Sequence, residues 1–185
     1  VFVAYNFQQF KTVGESTLSW LQKEFSALRT GRSTPTILDV VSVESYGSRV
    51  PINQVANITV QDARTIRITP WDKNVTQAID VAIRESNLGL SVAVDDQGLR
   101  ISFPELTADR RVGLIKVAKQ KLEEARITIR GERERVLNDL DKKEKDGEMS
   151  KDDKFRAKED LQKLVDEANR KLEDLSTRKE KEINE

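Results

Sequence analysis

Apolar residues recur at helical spacing in three blocks of the chain, and at strand spacing in the stretch between the first two. The longest block, residues 106–146, sets Ile115, Ala118, Leu122, Ala125, Ile129, Val136 and Leu140 on one face, which predicts a single long helix. At about 1.5 Å per residue it would form a rod of roughly 60 Å, too long for the core of a compact domain of this size. Thr107 can cap it, and Asp109 suits its positive end. Residues 4–29 carry Phe7, Phe10, Leu18, Leu21, Phe25 and Leu28 in the same manner and predict a first helix. Gly14 weakens its middle by about 1 kcal/mol against Ala, and Gly31 is placed as its C-terminal cap. Pro35 then forbids continuation and biases Thr34 towards extended geometry. The last block follows a stop at Gly147. It sets Leu161, Val165, Ala168, Leu172 and Leu175 in line, behind a capping-box sequence at residues 150–153. The pattern thins out over STRKEKEINE.

Between the first two helices the period changes. Residues 37–44 are rich in β-branched side chains, and Val41 and Val43 alternate with Ser42 and Glu44. Tyr46-Gly47-Ser48 reads as a turn, and residues 52–60 and 64–69 as further strands, the second closed by Pro70. A short helix is predicted over residues 74–86, with Asn74 as its N-cap and Asn87-Leu88-Gly89 as its stop. Strands near 90–94 and 99–103 flank Asp95-Asp96-Gln97-Gly98, which is hairpin chemistry. Each helical block has an apolar stripe that it cannot bury alone, so the three are expected to close into an antiparallel bundle. The expected class is α+β: a discontinuous bundle domain (residues 1–30 and 105–185) with an inserted β/α domain (residues 31–104). The two crossings, marked by Pro35 and Pro104, would act as a hinge built from Thr30, Gly31, Pro35, Pro104 and Glu105. A bundle that closes on itself is expected to be monomeric.

Charge adds what hydropathy does not. Lysines and arginines number 32 and acidic residues 32, so the net charge is zero. Its distribution is uneven. Residues 110–135 hold nine Lys or Arg against four Glu, whereas residues 136–185 hold thirteen against sixteen acidic residues. Lys119, Arg126, Arg130 and Arg133 fall in one narrow sector of the long helix, beside its apolar stripe. Two readings compete for this basic stripe. Arginine forks pair bidentately with phosphate oxygens, but a charged helix face is often only solvated. Glu132 and Glu134 flank Arg133 and offset its field locally. Arg29 and Arg32 likewise suit either a helix C-terminus or a second phosphate contact.

Composition also excludes chemistry. There is no Cys and no His, hence no disulfide, thiolate, imidazole or usual zinc ligand. Asp95, Asp96 and Gly98 lack the spacing of a calcium loop, and no glycine-rich phosphate loop occurs. Trp20 and Trp71 read as core or boundary packing rather than as base-stacking platforms. No enzyme activity, cofactor or metal site is expected, and no membrane-spanning run is present. The opening VFVAYNF is apolar but lacks the basic leader of a secretory signal. The chain does not begin with Met, so an organellar transit peptide could precede Val1.

LRTGRSTP (residues 28–35), YG (46–47), VPINQVANITV (50–60), DARTIRI (62–68), AIRESNLGL (82–90), FPELTADRR (103–111) and ARITIRGERE (125–134) resemble, in order, the bacterial ribosome recycling factor family. The resemblance implies a three-helix bundle with a small β/α domain inserted after the first helix, in an L shape similar to tRNA. It implies a translation factor that, with elongation factor G and GTP hydrolysis by that partner, splits the post-termination ribosome into subunits. Its bundle would bind large-subunit rRNA near an intersubunit bridge. On the matching positions the rRNA contacts would be Arg29, Arg32, Arg110, Arg130 and Arg133, with Arg126 added from the stripe. Where the family reads R-N-[IV]-R-R this chain reads RGERE, so Gly131, Glu132 and Glu134 depart from it. The loss of Arg at 134 leaves the field less positive, and Arg135 is the neighbour able to compensate. The resemblance implies bacterial cytoplasm, or an organelle matrix or stroma. A helical adaptor that binds protein rather than RNA is the competing reading.

Overall fold

A computed structural model describes residues 4–185; the apolar opening at residues 1–3 lies outside them. The chain divides into two compact units. One holds the described residues through Leu28 together with Ala108–Glu185, and the other is Arg29–Thr107.

The first unit is a bundle of α1 (Gln8–Ala27), α3 (Ala108–Lys145) and α4 (Lys151–Asn184). The intervening helix of the other unit, Thr76–Glu85, is α2. Phe10, Leu21 and Phe25 of α1 meet Ala118, Leu122, Ala125, Ile129, Val136 and Leu140 of α3 and Ala157, Leu161, Val165 and Leu172 of α4 in one core. Burying a Leu, Ile or Phe side chain contributes about 1.5–3 kcal/mol, so this seam holds the three helices together. Leu114 rather than Ile115 is the buried residue at the start of α3. At 3.6 residues per turn Leu114 lies about 40° from Ala118 and Ile115 about 60°, on the outer edge of the stripe. Gly147 closes α3 in the left-handed conformation of a glycine stop (φ 75°). Glu148 N–H donates to Lys143 O at 2.9 Å and Gly147 N–H to Glu144 O at 3.1 Å, the two bonds of a Schellman turn. Ser150 then caps α4, its Oγ accepting from Asp153 N–H at 3.1 Å.

Several boundaries differ from the sequence expectation. α1 ends at Ala27, and Leu28 is already extended (φ −77°, ψ 110°), so Gly31 is not its cap. The group at the end of α1 is instead Lys179 of α4, whose Nζ donates to Leu28 O at 3.4 Å and which is only 7% exposed. The tail does not thin out. Ser176, Lys179 and Ile183 continue the buried face of α4 to its last turn. Polar residues occupy that face, and the hydrophobic signal fades although the helix persists.

The second unit packs α2 (Thr76–Glu85) on an antiparallel sheet of order β3-β4-β6-β5: β3 (Ala56–Asp62), β4 (Thr65–Pro70), β5 (Ser91–Asp95) and β6 (Gly98–Ser102). A hairpin of β1 (Ser42–Ser45) and β2 (Ser48–Pro51) lies beside it. Ile66 pairs with Ile101 and Ile68 with Leu99, and all four turn inwards onto Val75, Ile79 and Ile83. Tyr46 and Gly47 both take positive φ (50° and 76°), the requirement of a two-residue hairpin turn. The strand expected over residues 37–44 is shorter. Pro35–Val40 is a 3₁₀ turn opened by Pro35, and it buries Leu38. Residues 52–54 are another such turn, which draws Ile52 into the core before β3 begins. Asp72, not Asn74, caps the approach to α2, its carboxylate accepting from Asn74 N–H at 2.9 Å. Trp71 is 69% exposed rather than packed. No helix among the described residues is long and apolar enough to cross a membrane.

Candidate nucleic-acid interface

α3 carries the basic stripe directly beside its buried seam, 60–120° around the helix from Ala118 at about 100° per residue. Seven residues separate Arg126 from Arg133, so the three arginines of the stripe span about 10 Å of helix axis. Arg126 and Arg133 are half-buried and Arg130 is exposed, as is Lys119 at the stripe's N-terminal end. Each arginine has a carboxylate beside it. Arg126 pairs with Glu173 of α4, Arg130 with Glu123 at 3.6 Å, and Arg133 with Glu134 at 2.9 Å. The stripe is therefore a row of forks already paired with acids, Arg126 and Arg133 by hydrogen bonds and Arg130 by a longer ion pair, with little excess positive field.

Arg135 plays a different part. It donates to Glu132 at 2.8 Å, and Glu132 is only 10% exposed at its side chain. The pair closes the edge of the bundle beside Tyr5, whose hydroxyl donates to Asp139 at 2.7 Å. Burial, then the Asp139 carboxylate, pushes the Tyr5 phenol up to about 12. Arg135 is thus tied to the edge of the bundle through Glu132.

The remaining predicted contacts lie elsewhere. Arg110 is exposed near the start of α3, sixteen residues before Arg126, or roughly 24 Å along the axis. It also lies about half a turn around the helix from Lys119, so it does not join the stripe. Its neighbour Arg111 donates to Asn184 O at 2.5 Å and caps the end of α4. Arg29 and Arg32 are exposed and belong to the other unit.

The two crossing segments run side by side within that second unit. Gly31 has φ 74°, and a Cβ there would stand 2.9 Å from Pro104 O and 3.6 Å from Leu106 Cγ. Only glycine admits both the backbone angle and the approach. Beyond it, Ser33 N–H donates to Ala63 O at 2.7 Å and Ser33 Oγ to Asp62 O at 2.6 Å. On the return, Phe103 N–H donates to Arg64 O at 2.9 Å, and Glu105 pairs with Arg64 at 3.3 Å. Both crossings are thereby fastened to the single turn between β3 and β4. Thr30 is half-buried, and Pro35 opens the first 3₁₀ turn. Sequence reasoning found the prolines but not Ser33, whose buried hydroxyl carries no pattern of its own.

Comparison with known proteins agrees with this architecture. A family model described as ribosome recycling factor matches residues 21–183. The chain is 44% identical over 176 residues to the ribosome-recycling factor of Sinorhizobium medicae, covering 95% of each chain. It is 46% identical over 169 residues to that of Allorhizobium ampelinum, covering 91% of each. Among solved structures it is similar to a solution structure of the ribosome recycling factor (TM-score 0.64, 35% identity, 96% of this chain and 94% of that one). It is also similar to a chain from models of the T. thermophilus ribosome recycling factor and the E. coli elongation factor G bound to the E. coli post-termination complex. That match has a TM-score of 0.58 and 38% identity, and covers 96% of both chains. With its helical bundle and inserted antiparallel sheet, the chain belongs to the ribosome recycling factor family.

Proposed function

We propose that this protein is a non-enzymatic translation factor. It acts with elongation factor G, which supplies GTP hydrolysis, to separate the subunits of the post-termination ribosome in the bacterial cytoplasm. The observation that carries the binding half of this reading is the alignment of Arg126, Arg130 and Arg133 in one sector of α3, where all three side chains reach solvent. Guanidinium forks at that spacing suit the phosphates of large-subunit rRNA at the intersubunit bridge region, and backbone contacts of this kind position a protein without reading sequence. Arg110, Arg29 and Arg32 supply contacts outside the stripe. The protein works as a monomer and uses no cofactor or metal.

The second half is mechanical. The hydrogen bonds at Ser33 and Phe103 hold both crossings to the β3–β4 turn. Bending then falls on residues 28–32 and 104–107, where Thr30, Gly31 and Pro104 lie and where the exposed ion pair of Glu105 with Arg64 is readily opened. Pro35 lies beyond the Ser33 fastening and acts as the fixed edge of the hinge. Elongation factor G would move the inserted unit about these residues while the 38-residue α3 bears on the ribosome.

Co-sedimentation with bacterial ribosomes at two salt concentrations tests the reading. Polyanion binding weakens steeply with salt because condensed counterions are released. Binding that falls with salt and falls further in Arg133→Ala supports it. Salt-independent association, unmoved by that substitution, would favour an adaptor that binds protein through apolar surface. Tyr46 (84% exposed), Trp71, Val40 and Phe155 are among the exposed side chains that would serve such a role.

A further inference from the structure

We propose that Glu123, Glu134 and Glu173 set the specificity of the arginine face, each holding as an internal carboxylate the fork that a phosphate would take. The inference rests on the rRNA-binding reading above and concerns residues which that reading does not use. Its basis is the contrast between two kinds of ion pair on one helix. In the Arg135–Glu132 pair the carboxylate is 10% exposed, and the pair is part of the bundle. In the other three pairs every partner is between 36% and 65% exposed. Pairs that open to water exchange readily, because solvent screens them and side-chain entropy opposes them.

Carboxylate and phosphate compete for the same guanidinium geometry. An isolated phosphate gains little by replacing one glutamate. A surface that offers phosphates to Arg126, Arg130 and Arg133 together, within about 10 Å, displaces all three. The face therefore discriminates a folded phosphate surface from a sparse or flexible polyanion. Glu173 is on α4, so this screening also depends on the α3–α4 register and not on α3 alone.

The consequence is visible in the salt dependence. Each phosphate that an arginine neutralises releases cations condensed on the nucleic acid, and each such contact adds roughly 0.7–0.9 to the slope of log K against log salt. A glutamate displaced from its arginine recruits a cation in turn, which offsets that release. The slope for this chain is thus shallower than its arginine count predicts.

The test uses the full chain with Glu123→Gln, Glu134→Gln and Glu173→Gln, singly and combined, and Arg133→Ala as control. Thermal melts first verify that each variant stays folded. Binding is measured to purified bacterial large subunits and to poly(U), across a salt series. The expected result is a gain of about two- to fivefold per glutamine at low salt, the range of an exposed ion pair. The combined variant should show a slope steeper by roughly 2–3 and a narrowed preference for subunits over poly(U). Unchanged affinity and slope in the glutamine variants, with Arg133→Ala weakened, would overturn this proposal alone. If neither glutamines nor Arg133→Ala moved binding, the rRNA reading would fail and this proposal with it.

Discussion

Replacing Gly98 by Ala probes how tightly the inserted unit is determined by its backbone. Gly98 begins β6 with φ 136°, a region open essentially to glycine. A Cβ built there stands 2.3 Å from Ile68 O and 2.9 Å from the Pro70 ring. Ile68 O belongs to the β4 backbone, which is paired to β6 through Ile68 and Leu99, so it cannot swing aside as a side-chain tip would. Relief requires a shift of about an ångström between two central strands. Backbone strain of about 1–3 kcal/mol adds to an overpacking cost of similar size, which gives about 3 kcal/mol or more. That corresponds to a hundredfold or greater rise in the opening equilibrium of the sheet. Hydrogen exchange read by mass spectrometry resolves the effect by segment. Peptides from β4, β6 and α2 should lose protection, while those from α3 and α4 keep it. Protection of β4 and β6 within a few-fold of wild type would refute the steric argument. Equal loss in α3 would refute the independence of the two units.

Two further predictions concern the bundle. Ser150→Ala removes the N-cap of α4 and should cost about 1 kcal/mol, read as a lower midpoint in urea; an unchanged midpoint would mean that Asp153 N–H finds another acceptor. Tyr5 should ionise near pH 12 in a spectrophotometric titration of Tyr46→Phe, where it is the remaining tyrosine. Because its folded pKa is raised from 10.0, its contribution to stability is complete below pH 10 and is lost as pH climbs from 10 towards 12. Asp139→Asn should lower the Tyr5 pKa towards the ordinary value, and a titration unmoved by it would contradict the hydrogen bond.

The bundle was legible in the sequence because its seam obeys one period over three helices. Six of the seven α3 residues assigned to the seam are buried, and Ile115 yields to Leu114 for the angular reason given above. Legibility failed where polar residues serve the interior. Thr17, Ser176 and Lys179 lie on buried faces that a hydrophobic count cannot see. It failed again at the start of the strand expected over residues 37–44, where the 3₁₀ turn opened by Pro35 runs on to Val40. The arginine stripe was visible from spacing alone. Its pairing was not, since Glu173 reaches Arg126 across two helices whose register no local pattern encodes, and Glu123 reaches Arg130 over two turns. The exposure of Trp71 also lies beyond local pattern.

The proposed action on the ribosome rests on Arg126, Arg130 and Arg133 of α3. Light scattering of post-termination complexes mixed with this protein, elongation factor G and GTP measures that action directly. Scattering is expected to fall as subunits separate, with no fall when elongation factor G is omitted and a strongly reduced one when Arg126, Arg130 and Arg133 are all Ala. Splitting at the wild-type rate by the triple variant would contradict it.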